Sequence, residues 1–192
     1  HKPHTINTKY QFHNRIGKIM ERIFLIRHAE SIEDIDKSVY DRLSLSEIGL
    51  TKYGVKQAKE LALILNNYKI NQNAHIYLSP SNRVLETFHL IQEEFSKNGV
   101  SVFAKQEDNI EKLNEDIVII THGFELRLLM MRIFKWSIEE FEGLAAPKNA
   151  ALVVVLKDEL GYYLTRPYPA FKGKISREGR GFYTFDKIDR IR

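Results

Sequence analysis

Apolar residues in this chain fall into two patterns: short unbroken runs, and longer stretches with helical period. Residues 22–26 and 117–120 hold runs too short for a helix and bounded by polar residues, the pattern of strands buried on both faces. Between them Val55, Ala58, Leu61, Ala62 and Leu65 recur at helical spacing among good helix formers, in a segment that opens at Leu50 and Thr51. Residues 75–78 predict a second strand, stopped by Ser79-Pro80, and residues 84–95 a second helix. A strand over 100–103 precedes the run at 117–120, and a helix over 124–134 follows it. Residues 150–156 predict a further strand, with 162–165 as its hairpin partner. Strands alternating with helices imply an α/β fold: a three-layer sandwich, its sheet mainly parallel with helices on both faces. In such a fold ligands bind outside the carboxyl ends of the strands.

Composition narrows the class. The 192 residues are 43% hydrophobic and 28% charged, which suits one globular domain and excludes a disordered tail or a coiled-coil rod. No apolar run approaches the ~20 residues of a membrane-spanning helix, so no membrane partner is expected. Cysteine is absent, which removes disulfides and thiolate metal sites and suits a reducing, cytoplasmic setting. The formal charge of +4 is unevenly placed. Residues 1–20 carry four basic side chains and no acid, residues 171–192 seven basic and three acidic, and the body between them 18 basic and 22 acidic. A mildly acidic body disfavours nucleic acid as a partner. Residues 1–19 lack a clear period and read as an N-terminal extension, 20–170 as the folded domain, and 171–192 as a basic C-terminal tail. No feature assigns an oligomeric state.

Three strand ends carry polar chemistry, in order Arg27-His28, Ser79-Pro80-Ser81-Asn82-Arg83 and Thr121-His122-Gly123. Singly, each has an ordinary reading, a solvated loop or the cap of the next helix. Brought to one sheet edge, two arginines and two histidines make a compact cationic pocket whose planar guanidinium forks match phosphate oxygens. A neutral imidazole can attack phosphorus while the arginines and the second imidazole neutralise the equatorial oxygens. That design needs neither a metal nor a cofactor.

These residues resemble a known family. Leu25-Ile26-Arg27-His28-Ala29-Glu30-Ser31 is similar to the signature of the histidine phosphatase superfamily, in its phosphoglycerate mutase-like branch. The resemblance continues through Leu50-Thr51-x-x-Gly54-x-x-Gln57-Ala58, Ser79-Pro80-x-x-Arg83-x-x-x-Thr87, Thr121-His122-Gly123 and Pro147-x-Asn149, and so covers roughly residues 22–156. Arg127-x-x-x-Met131-x-x-Phe134-x-Trp136 with Glu139-Glu140-Phe141-Glu142 looks like fungal and plant members, which are phosphatases rather than glycolytic mutases. The resemblance implies a phosphatase acting on phosphomonoesters, small molecules or phosphoproteins, through a phosphohistidine. His28 is then the nucleophile, and Arg27, Arg83 and His122 hold the phosphoryl group. Ser31 and Gly123 are further phosphate-binding candidates, with a helix cap as the ordinary reading of Ser31. A mutase is one alternative, disfavoured because the long motif that shapes a phosphoglycerate site has no counterpart. A phospho-ligand-binding scaffold without catalysis is another.

Three departures from the family pattern stand out. Asp34 replaces an asparagine in the loop after the signature, where a carboxylate repels phosphate unless it turns away. Ala29 replaces a glycine. Only 33 residues separate Thr87 from Thr121, where the family places a longer segment bearing its proton-donating glutamate. Glu107 is the candidate donor there, although the glycine and aromatic that should follow are missing and a solvated charge run is the plainer reading.

Overall fold

In the computed structural model, which describes residues 21–70, 74–97, 116–142, 144, 146–158 and 161–164, five strands form one sheet in the order β2-β3-β1-β4-β5. They are β1 (Glu21–Arg27), β2 (His75–Leu78), β3 (Asp116–Thr121), β4 (Leu152–Asp158) and β5 (Gly161–Leu164). β1 pairs parallel with β3, and β3 with β2. β4 runs antiparallel to β1, and β5 antiparallel to β4. The sheet is therefore mixed: the three neighbouring strands β2, β3 and β1 share one direction, and β4 alone opposes it. The predicted strand over 100–103 lies outside the described residues, as do the N-terminal extension and the basic tail.

Alternation along β1 sorts its side chains to two faces, Ile23 and Leu25 to one, Phe24 and Ile26 to the other, and all four are buried. Helices α2 (Lys52–Asn67) and α3 (Asn82–Lys97) cover the Phe24 face. Leu61, Ala62 and Leu65 of α2, and Val84, Phe88, Ile91 and Phe95 of α3, repeat at the three- and four-residue steps that aim them at the sheet. Helix α4 (Gly123–Phe134) covers the other face with Leu126, Met130 and Phe134 against Leu25, Val153 and Val155. At its end Lys135 takes a left-handed conformation (φ 54°), and Trp136 folds back to stack on Phe134 with ring centroids 5.5 Å apart. Burial of each large apolar side chain stabilises by about 1.5–3 kcal/mol, and the two clusters hold the sheet as the middle of three layers. A short helix α1 (Ile32–Ile35) follows β1, and α5 (Ile138–Glu142) follows α4. Among the described residues no helix is long and apolar enough to cross a membrane.

Candidate active site

The strand order sets the carboxyl ends of β2, β3 and β1 side by side, and loop hydrogen bonds carry the ladder past them. Ser79 N–H donates to the Ile120 carbonyl (3.1 Å) and His28 N–H to the Thr121 carbonyl (2.9 Å). The three polar clusters seen in the sequence thus converge on one pocket of about 600 Å³, lined by Arg27, His28, Ser79, Arg83, His122 and Gly123.

His28 sits on the floor, 1% exposed. Its Nδ1 is 2.7 Å from the Ala29 carbonyl, which can only accept, so Nδ1 carries the proton and Nε2 the free lone pair. Burial pushes the ring's pKa down from 6.5 to about 4, outweighing the Ala29 carbonyl and the Asp34 carboxylate, which favour the charged form. The imidazole is neutral at ordinary pH. His122 stands edge-on to it with centroids 5.1 Å apart. Ser79 Oγ holds His122 Nε2 at 2.9 Å, and burial, followed by the Arg83 charge, lowers its pKa too.

The remaining family-like residues build the frame rather than the floor. Ala29 N–H donates to Thr87 Oγ1 (3.0 Å), whose hydroxyl donates to the Arg83 carbonyl (2.7 Å), tying the loop after β1 to α3. Thr51 caps α2 by accepting from Gly54 N–H (2.9 Å), and its hydroxyl donates to Glu30 Oε1 (2.7 Å). Glu30 N–H in turn donates to Gln57 Oε1 (2.9 Å). Gly54 is needed for this approach, since a Cβ there would stand 2.0 Å from the Glu30 carbonyl oxygen. Arg27 Nη1 donates to the Pro147 carbonyl (2.7 Å).

The pocket is less cationic than the sequence suggests, because each arginine meets a carboxylate. Arg27 Nη2 donates to Asp34 Oδ1 (2.6 Å), while Asp34 Oδ2 accepts from Ser31 N–H and Oγ–H and from Asn149 Nδ2 (2.9, 2.8 and 2.9 Å). Burial works against ionisation of Asp34, but the Ser31 donors, with the charge of Arg27, outweigh it and hold its pKa below the ordinary value. The acid that replaces the family's asparagine is thus turned toward partners. Ser31 is buried with its hydroxyl on Asp34, at the N-cap of α1. Arg83 Nε lies 3.3 Å from Glu33 Oε1, both side chains about nine-tenths buried. Glu33 escaped the sequence reading, having the look of one more charge in an exposed turn. Glu107 lies outside the described residues.

Four buried nitrogens at this site make no hydrogen bond among the described residues: Arg27 Nε, Arg83 Nε, Arg83 Nη1 and His122 Nδ1. Buried polar groups are seldom left so, and several donors around one cavity suit an anion. A cation fits poorly. His28, Glu33 and Asp34 offer ligand atoms within 4.8 Å of one another, but both carboxylates face guanidinium groups.

Residues 23–107 match the family model of the histidine phosphatase superfamily (branch 1). The chain is 26% identical to a phosphoglycerate mutase-like protein, AT74, of Arabidopsis thaliana, over 74% of this chain and 67% of that protein. It is 31% identical to the broad-range acid phosphatase DET1 of Saccharomyces cerevisiae over 34% of this chain and 20% of that one. Among solved structures, Bacillus stearothermophilus YhfR superposes with a TM-score of 0.56 at 14% identity, covering 81% of this chain and 99% of its own, which shows the shared fold.

Proposed function

The chain belongs to the histidine phosphatase superfamily, and from that premise we propose that it is a metal-independent phosphatase that hydrolyses phosphomonoesters through a phosphohistidine on His28. The observation that carries this reading is the set of buried nitrogens around a neutral imidazole that make no hydrogen bond among the described residues. A phosphoryl group seated there accepts from Arg27 Nε, Arg83 and His122 Nδ1, and the first-turn N–H groups of α4, from Gly123 onward, face the same anion. His28 Nε2 attacks phosphorus in line, the P–O ester bond breaks, and water then cleaves the P–N bond to release inorganic phosphate and restore the imidazole. The guanidinium groups supply the charge neutralisation that other phosphatases draw from metal ions. The substrate is a phosphorylated small molecule or phosphoprotein.

A phospho-ligand-binding role without turnover is the second reading, favoured by the carboxylates that meet both arginines. Hydrolysis of p-nitrophenyl phosphate separates the two. Turnover is expected to survive a chelator and to fall by several orders of magnitude in His28→Ala. Activity lost to the chelator and restored by magnesium, or untouched by His28→Ala, would refute the proposal.

A further inference from the structure

Resting on the phosphatase reading, we propose that Glu33 is the proton-transfer residue of this site, giving a proton to the leaving oxygen and taking one from the attacking water. The segment between Thr87 and Thr121 is short, and Glu107 stands there without the glycine and aromatic of a donor motif. Inside the pocket, by contrast, Glu33 is 93% buried, since only 7% of it is exposed. Oε1 faces Arg83 Nε at 3.3 Å, while Oε2 is buried with no hydrogen-bond partner among the described residues. One of its oxygens lies within 4.8 Å of a ring nitrogen of His28. An in-line leaving oxygen stands roughly 4 Å from the attacking nitrogen, a separation comparable to that of the Glu33 carboxyl from the His28 ring, so a leaving oxygen on the Glu33 side of the pocket comes within hydrogen-bond reach of it, about 2.6–3.2 Å.

The phosphomonoester monoanion brings the proton. The charges facing Glu33 are Arg83 from α3 and Asp34 beside it on α1. A phosphoryl group that takes Arg83 as its partner sets its protonated oxygen beside the Glu33 carboxylate, which takes that proton over. His28 Nε2 then forms the N–P bond, the electron pair of the breaking P–O bond goes to the ester oxygen, and the Glu33 proton follows it to give the free alcohol. In the second half-reaction the Glu33 carboxylate takes a proton from water as its oxygen bonds to phosphorus. The P–N electron pair returns to His28, and phosphate leaves with Glu33 protonated again.

Leaving groups read this role. A nitrophenolate departs with little help, whereas an alkoxide needs a proton, which is typically worth ~10²–10⁴ in rate. In Glu33→Gln, kcat on an alkyl phosphate is expected to fall ~10²–10⁴-fold further than kcat on p-nitrophenyl phosphate, and the basic limb of the alkyl kcat profile to disappear. Glu33→Asp should recover part of the alkyl rate. A residue that only positions Arg83 would raise KM for both substrates alike and leave the basic limb in place, and that result overturns the inference. Should Glu33→Gln fail to fold, the wild-type enzyme decides: with a donor its kcat varies little with the leaving group's acidity, and a steep dependence overturns the role. Phosphoenzyme formed from p-nitrophenyl phosphate separates the two failures. If it forms while the Glu33 expectations fail, only the donor assignment falls; if it never forms, the phosphatase reading falls as well.

Discussion

A buried imidazole makes His28 a stability determinant as well as the proposed nucleophile. Its folded pKa of about 4 lies below the ordinary 6.5, so between those values the unfolded chain binds more protons than the folded one. Stability contributed by His28 is therefore present above pH 6.5 and is lost as pH falls toward 4. The contribution is of order 3 kcal/mol, taking about 1.4 kcal/mol per unit. Urea unfolding of the wild type is expected to steepen in pH dependence across that window relative to His28→Gln, which cannot titrate. Parallel curves for the two proteins would contradict it. The same neutrality leaves the proposed nucleophile available in mildly acidic solution, where an ordinary histidine is protonated.

At the scale of elements, the loop after β1 is clamped between two helices, and the apparent signature residues divide accordingly. Arg27, His28 and Arg83 line the pocket, whereas Thr51, Gly54, Gln57 and Thr87 hold the loop that carries it. Gly54 tests this division by sign. On helix propensity alone Gly54→Ala should stabilise α2 by up to about 1 kcal/mol. The added Cβ, however, meets the Glu30 carbonyl at 2.0 Å, and both partners are backbone, so neither yields by rotation. Gly54→Ala is expected to destabilise by about 1–3 kcal/mol, as overpacking does, and to lower kcat/KM by displacing the loop. Denaturation midpoints and turnover check both, and a stabilised, fully active variant would show that the clamp is looser than described.

Over the whole molecule, what the sequence made legible follows from where apolar residues run unbroken. The runs at 22–26 and 117–120 can only be buried strands, and finding histidines at both exits already placed His28 and His122 at one edge. The helix predicted over 84–95 is found as part of α3, which puts Val84 and Phe88 in the core, and the strand-end cluster placed Arg83 beside the strands. Hidden from that reading was the charge balance, because pairing is decided by turns. Asp34 and Glu33 lie on a one-turn helix too short for periodicity, and nothing along the chain tells that one faces Arg27 and the other Arg83. The left-handed Ala150 (φ 55°), whose N–H donates to the His28 carbonyl at 3.0 Å, was equally invisible. Everything in this account turns on a covalent bond between phosphorus and His28. Rapid quench of the enzyme during turnover of p-nitrophenyl phosphate, followed by peptide mapping under alkaline conditions that preserve phosphohistidine, looks for that bond directly. One phosphoryl group on the peptide bearing His28, absent in His28→Ala, is the expected result; turnover with no phosphopeptide, or with the phosphoryl group on another residue, would contradict it.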